Sequence, residues 1–558
     1  MLSKRYESIL WLTLLGLAAA LRLGPIASGL PYIDYVDEGY ALHQAIDLLN
    51  NRTFDTGWYG YPSLPAYLTA GALIAEGPIY RRVHGHGFRK DLPTAERGGT
   101  SQRDNYDLIS PSELIIAGRF VAAVLSIGTV LLAGVMATRL GGKTAGVIAL
   151  LLTAVCPALV SRASNVIVDT FATVFALLAL YFCERMRTNT SSHTRNAVLA
   201  GVASGLAFAS KYTAGAVFIA VLAAIIALPV ARSYRVRFGF QAGAGLLIGI
   251  AVGAPATIFN LPGVMRDIAV TSANYGIMHS VPGYFGQAVS ASELGWPLTI
   301  SGCLGFVLMF RQKLTRWTAL SWMLFAGLLL AVFIGKPFQA FRNLLPLVPL
   351  LCITTAIAFS QLVDWARRES RPWRYVLALV LIGCLVTTGF SSFGQVQQRM
   401  AHRDTRIQAI KWLQQNAGKG QRVLGLRELA ILPAEWKRVA ANLTVVSWSE
   451  ATDRLEREQF DYVVTGEFDL RYAPDADRSS AYLARWKERT APLPVQASFG
   501  SVVTPVVPYL WRTNHERILI LRTSASRADR DSGAIRVRRI VVNDIDTPVT
   551  AGHEQSTQ

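Results

Sequence analysis

Before residue 392 the chain is a succession of apolar runs of about 17 to 25 residues, the length a helix needs to cross the hydrocarbon layer of a bilayer. Backbone polar groups have no water partners there, so continuous runs of this kind must satisfy their hydrogen bonds internally, as helices. Runs fall at residues 8–24, 113–138, 144–160, 167–183, 196–209, 213–230, 239–258, 293–310, 317–334, 343–363 and 375–391, and none follows. Of 558 residues, 51% are hydrophobic and only 16% charged, a balance foreign to soluble proteins of this length. The sequence therefore predicts a polytopic α-helical membrane protein of about eleven spans.

Charge sets the orientation. "SLPAYLTAGALIAEG", residues 63–77, holds Pro65 and Gly71 and is short for a span. Treated as a helix on the membrane surface, it leaves Lys4/Arg5, Arg139/Lys143, Arg185/Arg187/Arg195, Arg232/Arg235/Arg237, Arg311/Lys313/Arg316 and Arg367/Arg368/Arg371/Arg374 on one side. That is the positive-inside pattern, so the N-terminus is expected in the cytoplasm and the C-terminal region outside, in the periplasm or extracellular space. The basic start of the chain resembles a signal peptide, but an uncleaved first span is expected. The net charge of +18 resides largely in these short loops, which argues for membrane topology and against nucleic acid as partner. The five cysteines all lie in or beside apolar runs and suggest neither a disulfide framework nor a cysteine metal site.

Residues 1–391 thus form the expected membrane domain, and 25–112 a long first outer loop whose second half, "RRVHGHGFRKDLPTAERGGTSQRDNYDL", reads as a mobile flap. Residues 392–525, with "QRVLGL", "NLTVVSW", "FDYVVTGEF" and "RILILRT", read as a small extracytoplasmic α/β domain. Residues 526–558 are polar and include one β-like run, "AIRVRRIVV".

Ionisable groups near membrane depth are costly, and their positions are therefore informative. On the outer side they are Asp37, Glu38, Arg119, Arg162, Asp169, Lys211, Arg266, Lys336 and Arg342. Each also has an ordinary reading. Asp37 and Glu38, in "YIDYVDEGYALHQAI", could form a solvated turn, and Asp169 could cap a helix N-terminus. Lys211, in "GLAFASKYTAG", could face water from a turn, and Arg342, in "KPFQAFRNLLPLVPL", could anchor a helix at the headgroups.

What raises them is their order: an acid pair after the first span, "YGYPSLPAYL" some twenty residues on, Arg162 and Asp169 in a second outer loop, "GLAFASKYT", then "FRNLLPLVPL". Over roughly residues 8–391 this order resembles the GT-C glycosyltransferases of the protein O-mannosyltransferase and lipid A aminoarabinose-transferase type. Two departures stand out: "WYGYPSLP" has no charged residue where the aminoarabinose type carries Glu-Lys, and Asn343 stands where an aromatic is common.

The resemblance implies an enzyme that moves a sugar from a polyprenyl-phosphate donor to a hydroxyl or phosphate of a lipid, glycan or protein acceptor, with inversion. It implies Asp37 as base and Arg342, helped by Lys211, Lys336 or Arg162, at the donor phosphate. Tyr40, Tyr61 and Pro62 would belong to the loop that receives acceptor or donor. For Glu38 three roles stay open: orienting the acceptor, sharing a divalent cation with Asp169, or raising the base's pKa by like-charge repulsion. A carboxylate near the anomeric carbon helps twice, by accepting a proton and by stabilising an oxocarbenium-like state. The competing classes are a lipid-linked glycan transporter, which forms no bond, and a structural membrane protein, whose outer acids would tolerate alanine.

The topology is checked by cysteine labelling in intact cells. Ser101→Cys should react with an impermeant maleimide from outside, and Ser191→Cys only after permeabilisation; the reverse pattern would invert the orientation.

Overall fold

The computed structural model describes residues 4–33, 35, 37–87, 112–188, 192–277, 283–368, 371–401, 404–426, 429, 431, 433–466, 490, 493, 495–499 and 518–522. The chain divides into two compact units, one carrying Met1–Asp404 and the other beginning at Thr405. The expected β-like run at 534–542 lies outside the described residues.

In the first unit α1 is Lys4–Leu23, α2 Glu38–Asn51, α3 Leu64–His84, α4 Glu113–Ala154, α5 Pro157–Ala163, α6 Val168–Thr188 and α7 His193–Ser210. They are followed by α8 (Val217–Ile226), α9 (Arg232–Gly253), α10 (Ala256–Phe259), α11 (Leu261–Ile277), α12 (Tyr284–Val289), α13 (Gly295–Arg311), α14 (Arg316–Phe333), α15 (Val348–Arg368) and α16 (Arg371–Ala401). Helix falls at every position where the sequence predicts a span. Among the described residues, five segments are long and apolar enough to cross a membrane by length and composition: Arg5–Ala27, Glu113–Ala154, Arg232–Gly253, Arg316–Phe333 and Phe341–Trp365. Outward-facing Leu12, Phe240, Leu247, Leu304, Leu328 and Phe390 suit a lipid environment better than water.

Two glycine features shape this bundle. Helix α4 is two helices in one, because Gly142 adopts φ +84°, a value that side chains with a Cβ rarely reach. The chain reverses there, and Leu150 packs on Gly134; in a straight helix those residues would stand ~24 Å apart. The second feature is the seam between α7 and α9. A Cβ on Gly205 would lie 2.3 Å from the Leu246 carbonyl oxygen, and one on Gly249 2.4 Å from that of Val202, so the two backbones touch directly.

Elsewhere α1 packs on α4, α4 on α15, α15 on α13, and α6 on α7. The core between them is rich in alanine, with Ala133, Ala137, Ala172, Ala176, Ala203 and Ala207 buried around Trp322 and Phe325. Small side chains bring helices close enough to fix the helix ends near one another. The surface piece predicted at 63–77 is a longer helix: α3 runs through Pro78 to His84 and takes in the first residues of the expected flap. Of that flap, residues 88–111 lie outside the described residues.

The second unit holds helices α17 (Thr405–Asn416), α18 (Pro433–Trp436) and α19 (Trp448–Arg457). Its strands are β1 (Arg422–Leu426), β2 (Asn442–Val446), β3 (Tyr462–Gly466), β4 (Val495–Phe499) and β5 (Ile518–Arg522), in the order β2-β1-β3-β5-β4. The β2-β1-β3 part is parallel, β5 pairs antiparallel with β3, and β4 pairs antiparallel with β5. Val423, Leu424, Val463 and Ile520 are buried with Ile410 and Leu413 of α17, which explains the near-continuous apolar runs in these strands.

The α7–α9 seam yields a test. Gly205→Val should force the helices apart and destabilise the protein by about 1–3 kcal/mol or more. A lowered thermal midpoint in detergent is expected, and an unchanged one would show that the seam does not hold the bundle.

Candidate active site

The acid pair that follows α1 divides at the start of α2. Asp37 occupies the N-cap position without capping the helix, and Glu38 is its first residue. The two side chains go to different partners.

Glu38 is completely buried and meets Arg119 of α4 in a bidentate pair, Arg119 Nε donating to Oε1 at 2.9 Å and Nη2 to Oε2 at 2.8 Å. Oε1 also accepts from the backbone N–H of Val166 at 3.1 Å and Oε2 from that of Tyr35 at 3.2 Å. The second arm of the guanidinium donates to the carbonyls of Ile26 and Ser28 at 3.0 and 2.6 Å. A buried charge this well satisfied holds elements together. Glu38 thereby ties the loop before α2 to α4 and to the turn before α6.

Asp37 instead forms an ion pair with Arg342, both side chains below a tenth exposed. Arg342 Nη1 also donates to the Tyr35 hydroxyl at 2.6 Å, and the guanidinium lies over the Tyr35 ring, 5.2 Å from its centroid. Burial pushes the Asp37 carboxyl above its ordinary value; Arg342 pulls the other way, Asp169 adds to the rise and Lys211 opposes it.

Arg342 comes from a 3₁₀ turn, Phe341–Leu347, which contains Pro346 and leads into α15. Its neighbour Asn343 serves the second half of the site. Lys211, extended at the end of α7, donates to Asp169 Oδ1 at 2.5 Å and to Asn343 Oδ1 at 2.8 Å, and Asn343 Nδ2 reaches the Tyr284 hydroxyl at 3.2 Å. Asp169 sits inside the first turn of α6 with its carboxylate on Lys211, so the reading of it as a cap gives way to an ion pair. Lys211 likewise is buried, not a turn residue facing water.

Arg162, on α5, gives both arms to Glu293, at 2.7 and 2.6 Å, and its charge is still felt by Tyr35. Lys336 stands apart from these groups, its Nζ 3.5 Å from Ser272 Oγ. Tyr40 stacks on Trp58 with centroids 5.0 Å apart, and Tyr61 meets both edge-on, with Pro62 buried beside it. This loop is fastened to α11, where Asp267 Oδ2 accepts from the Tyr59 N–H at 2.9 Å.

The structure therefore gathers Asp37, Asp169, Arg342, Lys211 and Arg162 and leaves Lys336 out. It gives no support to a cation shared by Glu38 and Asp169, because each carboxylate is already neutralised by a basic side chain. Among the described residues no three of His, Cys, Asp and Glu converge on a point that would hold a metal. Sequence reasoning missed Tyr35, Glu293 and Tyr284; Glu293 opens the apolar run 293–310 and was open to the reasoning applied to Arg119, while the two tyrosines carry no signal in one sequence. Arg119 was visible as a charge opening an apolar run on the side poor in bases, and Asn343 as a break in a motif.

Two family models match the sequence: dolichyl-phosphate-mannose-protein mannosyltransferase over residues 110–259 and the Alg9-like mannosyltransferase family over 272–433. The first takes in Arg119, Arg162, Asp169 and Lys211, the second Lys336 and Arg342; neither reaches Asp37 or Glu38. No curated protein matches the chain significantly in sequence. In fold, the chain is similar to the oligosaccharyltransferase of Archaeoglobus fulgidus with a tethered acceptor peptide, at 14% identity and TM-score 0.52, covering 94% of this chain and 76% of that one. It is also similar to ArnT from Cupriavidus metallidurans bound to undecaprenyl phosphate, at 11% identity and TM-score 0.51, covering 94% and 99%. These findings bear out the resemblance read from the sequence.

The Glu38–Arg119 pair is open to a direct test. Glu38→Gln or Arg119→Met alone leaves a buried charge uncompensated and should cost about 3–5 kcal/mol. The double variant should recover much of that loss in thermal unfolding; equal behaviour of single and double variants would show that the pair is not coupled.

Proposed function

We propose that this chain, an integral membrane glycosyltransferase of the GT-C fold, transfers one sugar from a polyprenyl-phosphate donor to an acceptor hydroxyl at the outer face of the membrane. The observation that carries the reading is the buried Asp37–Arg342 pair, set beside Asp169 and Lys211. It brings a carboxylate and a phosphate-binding group to one place at the outer ends of the helices. A polyprenyl phosphate keeps its headgroup at the interface and its tail in lipid, and such a place reaches both. One of the two matched family descriptions names dolichyl-phosphate-mannose, and the ArnT structure is a complex with undecaprenyl phosphate. Both agree with a lipid-phosphate donor here.

In this mechanism Asp37 takes the proton of the acceptor hydroxyl. The acceptor oxygen attacks the anomeric carbon on the face opposite the phosphate. The bond from that carbon to the phosphate oxygen breaks, and its electron pair leaves with the phosphate, so a single displacement inverts the centre. Arg342 stabilises the charge growing on the phosphate, a role in which preorganised donors act strongly. Asp169 and Lys211, locked through Asn343, hold the Arg342 turn in place and shape the field around the base. Glu38 is a positioning residue that sets the start of α2. The Tyr40–Trp58–Tyr61 cluster faces the sugar or acceptor. We further read eleven spans, a cytoplasmic N-terminus and an extracytoplasmic second unit.

The test is transfer of label from a panel of polyprenyl-phosphate sugars by purified protein in detergent, with membrane extract as acceptor. Wild type should transfer from one donor, and Asp37→Asn, folded to the same thermal midpoint, should be slower by about 10² to 10⁴-fold. Undiminished Asp37→Asn activity would remove the base role; no transfer by folded wild type would remove the reaction. Because the base must be ionised and its pKa is raised by burial, activity should fall on acidification at a pH above the ordinary carboxylate range.

A further inference from the structure

Each cation gathered for a phosphate already faces a carboxylate: Arg342 faces Asp37, Lys211 faces Asp169 and Arg162 faces Glu293. Three positive and three negative groups cancel, so the cluster as it stands offers an anion no net attraction. A lipid phosphate can gain a full ionic partner here only where one carboxylate yields.

The three pairs differ in how firmly they are closed. Arg162 meets both oxygens of Glu293 through both of its arms, which is the strongest geometry a guanidinium can make. Lys211 is held by Asp169 and Asn343, the latter anchored on Tyr284, and its ammonium lies 5.4 Å from the centroid of the Phe333 ring. The Asp37 carboxylate has fewer partners to hold it. Asp37 Oδ2 approaches Arg342 as an ion pair but has no hydrogen-bond partner among the described residues. Asp37 also sits just outside α2, where a change of rotamer disturbs no helical hydrogen bond. Arg342, for its part, also holds the Tyr35 hydroxyl and ring, contacts that do not involve Asp37.

Resting on the function proposed above, we propose that the donor phosphate and Asp37 compete for Arg342, so that binding of the donor is what frees the carboxylate to act as base. In the empty enzyme Arg342 neutralises Asp37 and blunts its basicity. With phosphate on the guanidinium, the buried carboxylate loses its counter-charge and holds a proton more strongly. Deprotonation of the acceptor is thereby confined to enzyme that already carries donor, and the binding order is donor first.

The experiment measures binding, not transfer: affinity of the purified full chain for a sugar-free polyprenyl phosphate in detergent. Asp37→Asn, which keeps the side-chain shape and removes the competing charge, should bind at least ~10-fold tighter than wild type, in the range of coupling found for close charge pairs. The gain should vanish when Arg342 is absent, with Asp37→Asn/Arg342→Gln binding no tighter than Arg342→Gln. Unchanged or weaker binding by Asp37→Asn overturns the proposal, as does a gain that persists without Arg342. If Arg342→Gln does not fold, Asp169→Asn is the comparison, since it removes the same charge from the same cluster. A much smaller gain there supports competition at Arg342, and an equal gain overturns it. The failure of this idea is separable from failure of the reaction, which shows as the absence of transfer by wild type.

Discussion

A carboxylate and a guanidinium, both cut off from water, hold one end of the helix bundle in one arrangement. Glu38 and Arg119 satisfy each other and also gather the N–H groups of Tyr35 and Val166 with the carbonyls of Ile26 and Ser28. Those six residues belong to the segment after α1, the loop before α2, α4 and the turn before α6. A buried pair seldom adds net stability over apolar packing, but it tolerates few alternatives, because any register that separates its members leaves a charge alone. The neighbouring Asp37 inherits its position from this clamp.

The same rule, that charge near lipid must be matched, organises the rest of the site. Arg22 has no acid against it among the described residues, and it donates instead to Ser126 and to the carbonyls of Thr153 and Ala154 at the end of α4. Arg399, near the end of α16, donates to Ser164, Asn165 and the carbonyl of Ser161, the segment that also bears Arg162. Basic side chains thus fasten the ends of helices whose last carbonyls have no partner of their own. The small residues along α7 and α9 do the complementary work within the bilayer, where packing alone holds helices together.

The helical frame was legible because it follows from one constraint: apolar length sets the helices. The strands β1, β2, β3 and β5 were legible for a similar reason, as short β-branched runs. β4 (Val495–Phe499) was not, since "VQASF" alternates apolar and polar for only five residues and its small Ala497 and Ser498 give little strand signal. At the site, single outer charges were visible while their pairings were not. Asp37 and Glu38 are adjacent and chemically alike, and nothing local says that one faces Arg342 and the other Arg119. Those partners lie hundreds and tens of residues away respectively, and only the bundle's packing brings them in. Lys336 shows the converse, a plausible charge in a plausible loop that the fold directs elsewhere.

The 3₁₀ turn Phe341–Leu347 has a mechanical consequence. Arg342 and Asn343 are consecutive, yet one reaches the Asp37 pair and the other the Asp169–Lys211 pair, because successive side chains on so tight a helix diverge by about 120°. A short rigid piece, stiffened by Pro346, therefore acts as a rocker between two ionic contacts. Any tilt of this turn that lengthens one contact changes the other in the same motion, so the halves of the site cannot be tuned separately by the backbone that carries them.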